Sequence, residues 1–479
     1  SFITHAEGTT NVVGTVNIDV QTSDALIYGT IDVDDKGYAV GEGPGAGVDG
    51  SNGSGGGAYG GNGGDGYTRS GGSAYGDYTA PNRLGSGGGY YNNNGGSGGG
   101  AVKLTVAGTT TINGTITANG EYSNDDGYHV AGGGAGGSIW IDTNTFDGTG
   151  NIRANGGYTT NDNTDGGGGS GGRIALHYTT DNSTLTELSA HGGSTGDTAT
   201  YGGAGTIYKK LDAAVNGDLI IDNNKSGYLT DRQYTAETPL DDSLTVDNIT
   251  ISDFAHVDYD STLTVTDTLR VDGSANFYVD DTVSTDTLEI ATSGALYNTS
   301  ASSTTYNTLD WTGGIIFDDG GTFSLVSGGG SLTIPAGSTL HGNTARTFTG
   351  LTVHGILTHT ANAAIEANKL VYIVNGDVNV SATGSIDVDD KGYAVGEGPG
   401  AGTDGSNGSG GGAYGGDGGD GYSHSGGSAY GDYTAPDELG SGGGIHSVNG
   451  GAGGGAIKLI VSGTTTITGT ISANGEYSN

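Results

Sequence analysis

Short runs that alternate apolar and polar residues are the most regular pattern of the chain, above all between residues 211 and 385. In these runs Val, Leu and Ile alternate with Thr, Asp and Ser, and turns rich in Asp, Asn, Gly and Ser separate them. A period of two predicts β-strands with one buried and one solvated face. The clearest runs recur roughly every twenty residues, at 244–251, 263–271, 279–290, 331–334 and 351–359.

No run has the helical period, and sequence signals for helix caps are missing as well. Short strands that recur at the spacing of a repeat protein predict an all-β fold, and specifically a parallel β-helix, or β-solenoid. An antiparallel sandwich is the alternative fold. It does not account for so regular a period over so long a stretch.

A second, glycine-rich pattern covers residues 31–210. Polar, glycine-rich excursions each end on a strand-like run, as in 132–141, 166–176 and 202–209. We therefore predict that each excursion is a loop extruded from the β-helix as a glycine-rich lobe, with left-handed, polyglycine-II-like backbone as a candidate conformation. A flexible linker is the alternative, but interleaved tyrosines argue against it: Tyr59, Tyr67, Tyr75 and Tyr78.

The stretch 31–124 returns almost unchanged as 386–479, which is the signature of a repetitive array. The changes in pattern divide the chain into β-helix coils (1–30), glycine-rich β-solenoid lobes (31–210), a regular β-helix ladder (211–385) and the second copy of the glycine-rich module (386–479). Such an array favours a structural or adhesive role over a catalytic one.

Composition and charge restrict the classes of partner that the chain is expected to bind. The chain has 102 glycines, 6 prolines and 27 tyrosines, and its net charge of −38 comes from 53 acidic and 15 basic residues. So negative a surface repels nucleic acid, because phosphate binding needs clustered Lys and Arg. No apolar run is long enough to span a bilayer, so we expect no membrane insertion. Without cysteine, neither disulfides nor thiol chemistry contributes.

The order of the motifs KGY…GxGPG, GGGAYGG, LGSGGG, GGGA(V/I)KL and GTIxANG resembles glycine-rich modules of very large secreted bacterial surface proteins, with related glycine-rich proteins in plants. The resemblance covers most of 29–208 and 385–479. It implies an extracellular or cell-surface, repetitive, β-helical protein. The family brings no catalytic residues, so none is carried over.

Acidic turns are the candidate metal sites, with calcium as the expected ion because oxygen-rich, flexible loops suit it. DVDDKG at 32–37 recurs at 387–392, and two glycine-rich segments, 60–68 and 415–423, match the calcium-binding nonapeptide of β-roll proteins. The candidate ligands are Asp32, Asp34, Asp35, Asp65, Asp387, Asp389, Asp390 and Asp420. The alternative is an acidic turn that is merely solvated, which is also the expectation for the Asp pairs at 241–242, 280–281 and 318–319.

Catalytic sites are not indicated. Paired carboxylates are too abundant to mark a glycosidase, and the basic residues that a polysaccharide lyase would need form no cluster in the sequence. Histidines such as His5 and His359 are scattered singly, so neither a metal set nor a Ser-His-Asp set can be assembled. We expect the protein not to be an enzyme.

Two functions fit these patterns. The first is a structural segment of an extracellular filament or surface fibre, lengthened by tandem β-solenoid repeats and by head-to-tail self-association. The second is an adhesin or receptor-binding module whose exposed Tyr and Asn contact surface glycans or proteins. Thr-rich strands raise an ice-binding alternative, but their Thr spacing is irregular.

Overall fold

The computed structural model of the chain describes residues 2–3, 14–50, 53–91, 95–123, 131–159, 166–195, 199–223, 235–240, 243–323, 330–446 and 450–477. Within these ranges all regular secondary structure is β-strand, which confirms the all-β class. That part of the chain accordingly offers no helix that could cross a membrane. The strands belong to two compact units, 1–278 with 283–286, and 279–282 with 287–479.

The first unit contains sixteen complete strands: β1 (Phe2–Ile3), β2 (Val16–Val20), β3 (Ala25–Ile27), β4 (Thr30–Asp32), β5 (Ala101–Ile112), β6 (Thr115–Thr117), β7 (Ser138–Asp147), β8 (Asn151–Arg153), β9 (Arg173–Asp181), β10 (Glu187–Ser189), β11 (Thr206–Leu211), β12 (Asp218–Asp222), β13 (Leu244–Val246), β14 (Ile249–Ser252), β15 (His256–Tyr259) and β16 (Leu263–Val271). Two more, β17 (Asn276–Val279) and β18 (Thr282–Ile290), cross the unit boundary.

Two sheets account for the complete strands of the first unit other than β15, which pairs with β17. One sheet has the order β1-β4-β6-β8-β10, and the other runs β2-β5-β7-β9-β11-β12-β14-β16 within this unit, with β3 beside β5 and β13 beside β16. Neighbouring strands are parallel, except that β11 and β12 are antiparallel. The parallel pairing expected from the sequence is therefore present.

The core of the first unit consists of aliphatic side chains held in register from strand to strand. On the larger sheet Leu104 pairs with Ile141 and Ile141 with Leu176. On the smaller sheet Ile31 pairs with Ile116 and Ile116 with Ile152. All these side chains are buried in one cluster. Each fully buried aliphatic side chain contributes roughly 1.5–3 kcal/mol, so the two columns carry much of the stability of this unit.

The second unit contains β19 (Ala295–Asn298), β20 (Ser303–Trp311), β21 (Gly314–Asp318), β22 (Thr322–Phe323), β23 (Ser331–Ile334), β24 (Ser338–Gly342), β25 (Arg346–Phe348), β26 (Gly350–Val353), β27 (Ile356–Thr358), β28 (Leu370–Val374), β29 (Val378–Val380), β30 (Ser385–Asp387), β31 (Ile457–Val461), β32 (Thr465–Ile467) and β33 (Thr470–Ser472). Within it the chain forms parallel ladders in the orders β19-β21-β24-β27-β30-β33, β23-β26-β29-β32, β25-β28-β31 and β20-β22.

One prediction for this unit is wrong. Asp318 was expected at a solvated turn, but it ends β21 with its side chain fully buried. Its carboxylate accepts two hydrogen bonds from Arg346, at 2.8 Å from Nε and 2.5 Å from Nη2. Burial is possible because a bidentate guanidinium replaces the lost water. The pair at Asp280 and Asp281 is exposed as predicted, whereas residues 241–242 lie outside the described ranges.

Candidate functional site

The first acidic turn, DVDDKG after β4, is held together by its own carboxylates. Asp32 Oδ1 accepts a hydrogen bond from the N–H of Asp34 at 2.9 Å. Asp34 in turn accepts from Thr117 Oγ1 at 2.7 Å and from the N–H of Asn119 at 2.6 Å, which ties the turn to β6 and the residues after it. Two of the three calcium candidates here therefore act as hydrogen-bond acceptors for neighbouring backbone.

Asp35 differs from its neighbours. Its backbone is left-handed, with φ 58°, and its side chain is part-buried. Burial, and then the negative charges of Glu121 and Asp34, raise the pKa of Asp35 to about 7. Sequence reasoning missed Glu121. The repeated ANGEY motif that carries this residue is the signal that could have identified it.

The second copy of the turn is built in the same way but is more exposed. Asp387 Oδ1 accepts from the N–H of Asp389 at 3.0 Å, and Asp389 Oδ2 accepts from Asn474 Nδ2 at 3.0 Å. Burial raises the pKa of Asp389, but the hydrogen bonds from Asn474 and Ser472 together outweigh it, so the pKa is lowered. Asp390 has φ 58°, like Asp35, and slight burial and the charge of Glu476 raise its pKa. The two copies thus share geometry and differ in solvation.

The candidate ligands in the two nonapeptide matches also accept hydrogen bonds from nearby backbone N–H groups. Asp65 Oδ1 accepts from the N–H of Gly71 at 2.8 Å, and Asp420 Oδ1 accepts from the N–H of Gly426 at 2.9 Å. Both aspartates are exposed. Among the described residues, no group of three or more His, Asp or Glu side chains is arranged to hold a metal ion. Calcium binding by these aspartates stays a prediction.

The raised pKa of Asp35 predicts a pH dependence of stability. Between its ordinary pKa of 3.8 and about 7, Asp35 holds its proton in the folded state and loses it on unfolding. This group therefore makes the free energy of unfolding of the first unit fall as the pH rises from about 4 to 7. We expect Asp35→Asn, which keeps the left-handed backbone accessible, to remove that contribution. Urea unfolding at several pH values measures the difference between wild type and variant.

Asp390→Asn is the matched control, because the same residue of the second copy is more exposed. It should change the pH profile less than Asp35→Asn does. If the free energy of unfolding of Asp35→Asn changed with pH as steeply as that of the wild type, the raised pKa of Asp35 would be contradicted.

The glycine-rich segments of the first unit form a dense network of backbone hydrogen bonds outside the sheets. Gly56 donates to the carbonyl of Gly64 at 2.8 Å, Gly64 to Gly168 at 2.8 Å, and Gly133 to Gly167 at 3.0 Å. An added Cβ at Gly56 or Gly64 would overlap the backbone of the neighbouring segment. The segments therefore pack at a distance that only glycine allows. We call this set of hydrogen-bonded segments (54–72, 85–91, 95–100, 131–137 and 166–172) the glycine lattice.

Buried polar side chains connect the glycine lattice to the sheets. Arg173, which begins β9, is buried and donates from Nε to the carbonyl of Tyr75 at 3.1 Å and from Nη1 to Thr206 Oγ1 at 3.1 Å. Its guanidinium lies 5.6 Å from the ring centre of Tyr59, and Tyr59 Oη lies 2.7 Å from Ser138 Oγ. Of the four tyrosines that argue against a flexible linker, Tyr59 is thus buried and packed, whereas Tyr67 is exposed.

In the second copy, part of the equivalent surface is uncovered. An added Cβ would meet nothing within 4 Å at Gly415, Gly416 or Gly419, whereas at their first-copy counterparts it would overlap backbone. A groove of about 710 Å³ lies beside this surface within the second unit. Glycines line most of it, together with Ser441, Ala452 and a few other small or polar residues. In the first copy these positions pack against residues 168–204, which lie beyond the duplicated stretch 31–124.

A second concave surface in the second unit carries aromatic rings. Tyr297 stacks on Phe317 at 4.2 Å between ring centres, and Phe317 on His341 at 4.1 Å. Together with polar groups, Tyr297 and Phe317 line a cavity of about 390 Å³. Asn343 lies on its wall, with Nδ2 donating to Thr360 Oγ1 at 2.8 Å. Aromatic and amide groups side by side are chemically suited to a sugar, through ring contacts and hydrogen bonds.

Comparisons with protein-family models, with curated proteins and with solved structures find no match to this chain.

Proposed function

We propose that the chain is a structural segment of an extracellular filament or surface fibre, built as a parallel β-solenoid with polyglycine-II-like lobes. The observation that carries the proposal is the in-register stacking of aliphatic side chains on successive parallel strands. In the second unit, for example, Leu340 pairs with Leu357 and Leu357 with Ile386. Stacks of this kind can be lengthened by adding repeats, because each coil contacts only its neighbours.

Head-to-tail self-association is the proposed mode of assembly. The edge strands of the second unit expose Ile460, Ile467 and Ile471, with 39–49% of each side chain accessible. In the first unit Leu26 and Tyr28 are 59% and 70% accessible. Apolar strand edges favour pairing with another chain, and a heterologous contact between two different surfaces does not close into a ring. The high negative charge would keep the resulting filaments apart, or allow calcium to bridge them.

Electron microscopy of the purified native material, with and without EGTA, tests this function. We expect filaments with a regular axial repeat, and shortening or dissolution in EGTA if calcium bridges the acidic turns. Magnesium added in place of calcium is the control for simple charge screening. Short, uniform particles in every condition would contradict the filament.

An adhesin that contacts surface glycans is the second candidate, favoured by the aromatic cavity of the second unit. Exposed tyrosines of the glycine-rich module add to this, since Tyr422 and Tyr433 are 89% and 95% accessible. Glycan-array binding that is lost in Tyr297→Ala but kept in Tyr433→Ala would place the contact at the cavity. The proposed role is non-catalytic in both cases, and both place the protein at the cell surface or outside the cell.

A further inference from the structure

The aromatic cavity of the second unit lies beside two columns of side chains on parallel strands. In the first column Tyr297 pairs with Phe317 and Phe317 with His341, on β19, β21 and β24. The second column lies two residues further along β21, β24 and β27, and its members are Asp319, Asn343 and Thr360. All the residues that line the cavity lie between 297 and 368, in the interior of the sequence and outside both copies of the duplicated module.

Side-chain amides hold the polar walls of this cavity in place. Asn343 accepts a hydrogen bond from the N–H of Thr360 at 2.7 Å and donates through Nδ2 to the carboxylate of Asp319. A further wall belongs to the loop after β27. There the buried Asn362 accepts through Oδ1 from the N–H groups of residues 367 and 368, at 2.8 and 2.7 Å. The cavity is therefore preformed, as small-molecule sites usually are.

Asp319 is the charged residue of the lining, and it lacks a cation. Its side chain is exposed, Asn343 donates to Oδ1, and Oδ2 has no hydrogen-bond or ion-pair partner among the described residues. The preceding residue, Asp318, is by contrast buried against Arg346. Neither Lys nor Arg is among the described residues that line the cavity. The carboxylate of Asp319 is thus available to a cationic ligand.

We propose that this cavity binds an amino sugar, a sugar ring that carries a free and protonated amine, with Asp319 as the acceptor for the ammonium group. The inference rests on the adhesin function, the second of the two proposed functions, and deepens it by naming the class of glycan. The ammonium group would donate to Asp319 Oδ2, in a charge-assisted hydrogen bond.

The remaining lining suits the rest of such a ring. The side-chain amide of Asn368 has no hydrogen-bond partner in the described part of the chain, so it can donate to one ring hydroxyl and accept from another. The half-buried rings of Tyr297 and Phe317, and the methyl group of Ala367, offer apolar contact to the C–H groups of the sugar. One cavity thus combines an anionic, an amide and an apolar side.

Two other classes of ligand fit this lining less well. A lysine side chain would supply an ammonium group, but its apolar stem would leave the amide of Asn368 without a partner. An acidic sugar would bring its carboxylate beside that of Asp319, in a chain whose net charge is −38. The cavity therefore favours a ligand that is both hydroxylated and cationic.

The neighbouring histidine does not oppose a cation at the pH of the test. Burial, and then the charges of Lys391 and His359, lower the pKa of His341 to about 4. At about pH 6 this imidazole is neutral, while an aliphatic amine still carries its proton. The ammonium group of the ligand then meets a negative carboxylate and an uncharged ring.

Isothermal titration calorimetry of the full chain at about pH 6, with tetrasaccharides of glucosamine, N-acetylglucosamine and glucose in the same linkage, tests the proposal. We expect the glucosamine oligomer to bind about tenfold more tightly than the other two. Equal binding of all three would overturn the role of the amine and leave a glycan-binding adhesin. No saturable binding of any of them at millimolar concentration would overturn both this inference and the adhesin site at this cavity.

Two variants separate a specific site from attraction to the overall negative charge. Asp319→Asn keeps the size of the side chain and can still accept from Asn343, so the fold should be unchanged by urea unfolding. It should weaken binding of the glucosamine oligomer about tenfold and leave the other two unchanged. Asp310→Asn is the matched control, because Asp310 is also exposed but does not line the cavity. Equal losses in the two variants would show unspecific attraction and overturn the site.

A third variant and a peptide test the rest of the assignment. Asn368→Ala should weaken binding of the charged and the neutral oligomers by the same factor, because its amide is assigned to hydroxyl groups and not to the amine. A loss confined to the glucosamine oligomer would contradict that assignment. If a tetralysine peptide bound as tightly as the glucosamine oligomer, and Asp319→Asn weakened both equally, the ligand would be a basic peptide and the sugar would be wrong.

Discussion

Gly64→Ala should destabilise the first unit by about 3 kcal/mol or more, although it adds a single methyl group. The new Cβ would overlap the carbonyl oxygen of Thr200 and press on its carbon. Gly64 also donates its N–H to Gly168 at 2.8 Å, so the segment cannot move away without losing that bond. Overpacking a rigid interior typically costs about 1–3 kcal/mol, and here backbone lies on both sides. Urea unfolding and amide exchange of residues 54–72 measure the effect.

The duplicated sequence supplies the control for this variant. Gly419 occupies the same position of the second copy, and an added Cβ there meets nothing within 4 Å. Gly419→Ala should be neutral or stabilising by up to about 1 kcal/mol, because alanine restricts the unfolded chain. Equal losses in the two variants would mean that the local sequence, and not the lattice, requires glycine.

Arg346→Met should destabilise the second unit by about 3–5 kcal/mol. Asp318 is fully buried, and Arg346 donates two hydrogen bonds to its carboxylate. Removing the guanidinium leaves a buried charge without its partner, which is far more costly than losing an ion pair in water. The midpoint and slope of urea unfolding, followed by fluorescence of Trp311, give the change in free energy of unfolding.

Two further variants separate charge burial from loss of packing. Asp318→Leu combined with Arg346→Met should recover most of the loss, because the double variant leaves no buried charge. Lys458→Met removes a pair to Asp437 that is 3.4 Å long and about half exposed. That change should cost less than about 1 kcal/mol. A double variant as unstable as Arg346→Met alone would show that packing of the arginine stem dominates.

Alternation along the chain was enough to predict many of the strands. The runs 263–271 and 331–334 coincide with β16 and β23, in which the Leu, Val and Ile side chains are buried and the polar residues between them are not. The burial of Asp318 could not be predicted in this way, since it depends on Arg346, which is distant in sequence. An aspartate that follows an apolar run shows the same local sequence pattern whether its side chain lies in water or contacts a guanidinium.

For the candidate sites, the sequence indicated which residues recur but not what they contact. It marked Asp35 as one of several acidic residues, while the raised pKa depends on the burial and on Glu121. It marked the glycine clusters, whereas pairs such as Gly64 and Gly168 are brought together only by the fold. These contacts join distant segments, and no local pattern encodes a partner.

The glycine lattice has a consequence for spectroscopy. Its segments are not β-strands, yet many of their N–H groups donate hydrogen bonds to carbonyls of neighbouring segments. The polyglycine-II-like backbone that we propose for these segments is a conformation that unfolded chains also populate. Far-ultraviolet circular dichroism should therefore count the lobes as coil, while their amide protons exchange with deuterium as slowly as those of a core. In this protein, a signal usually taken as disorder would come from some of its most tightly bonded backbone.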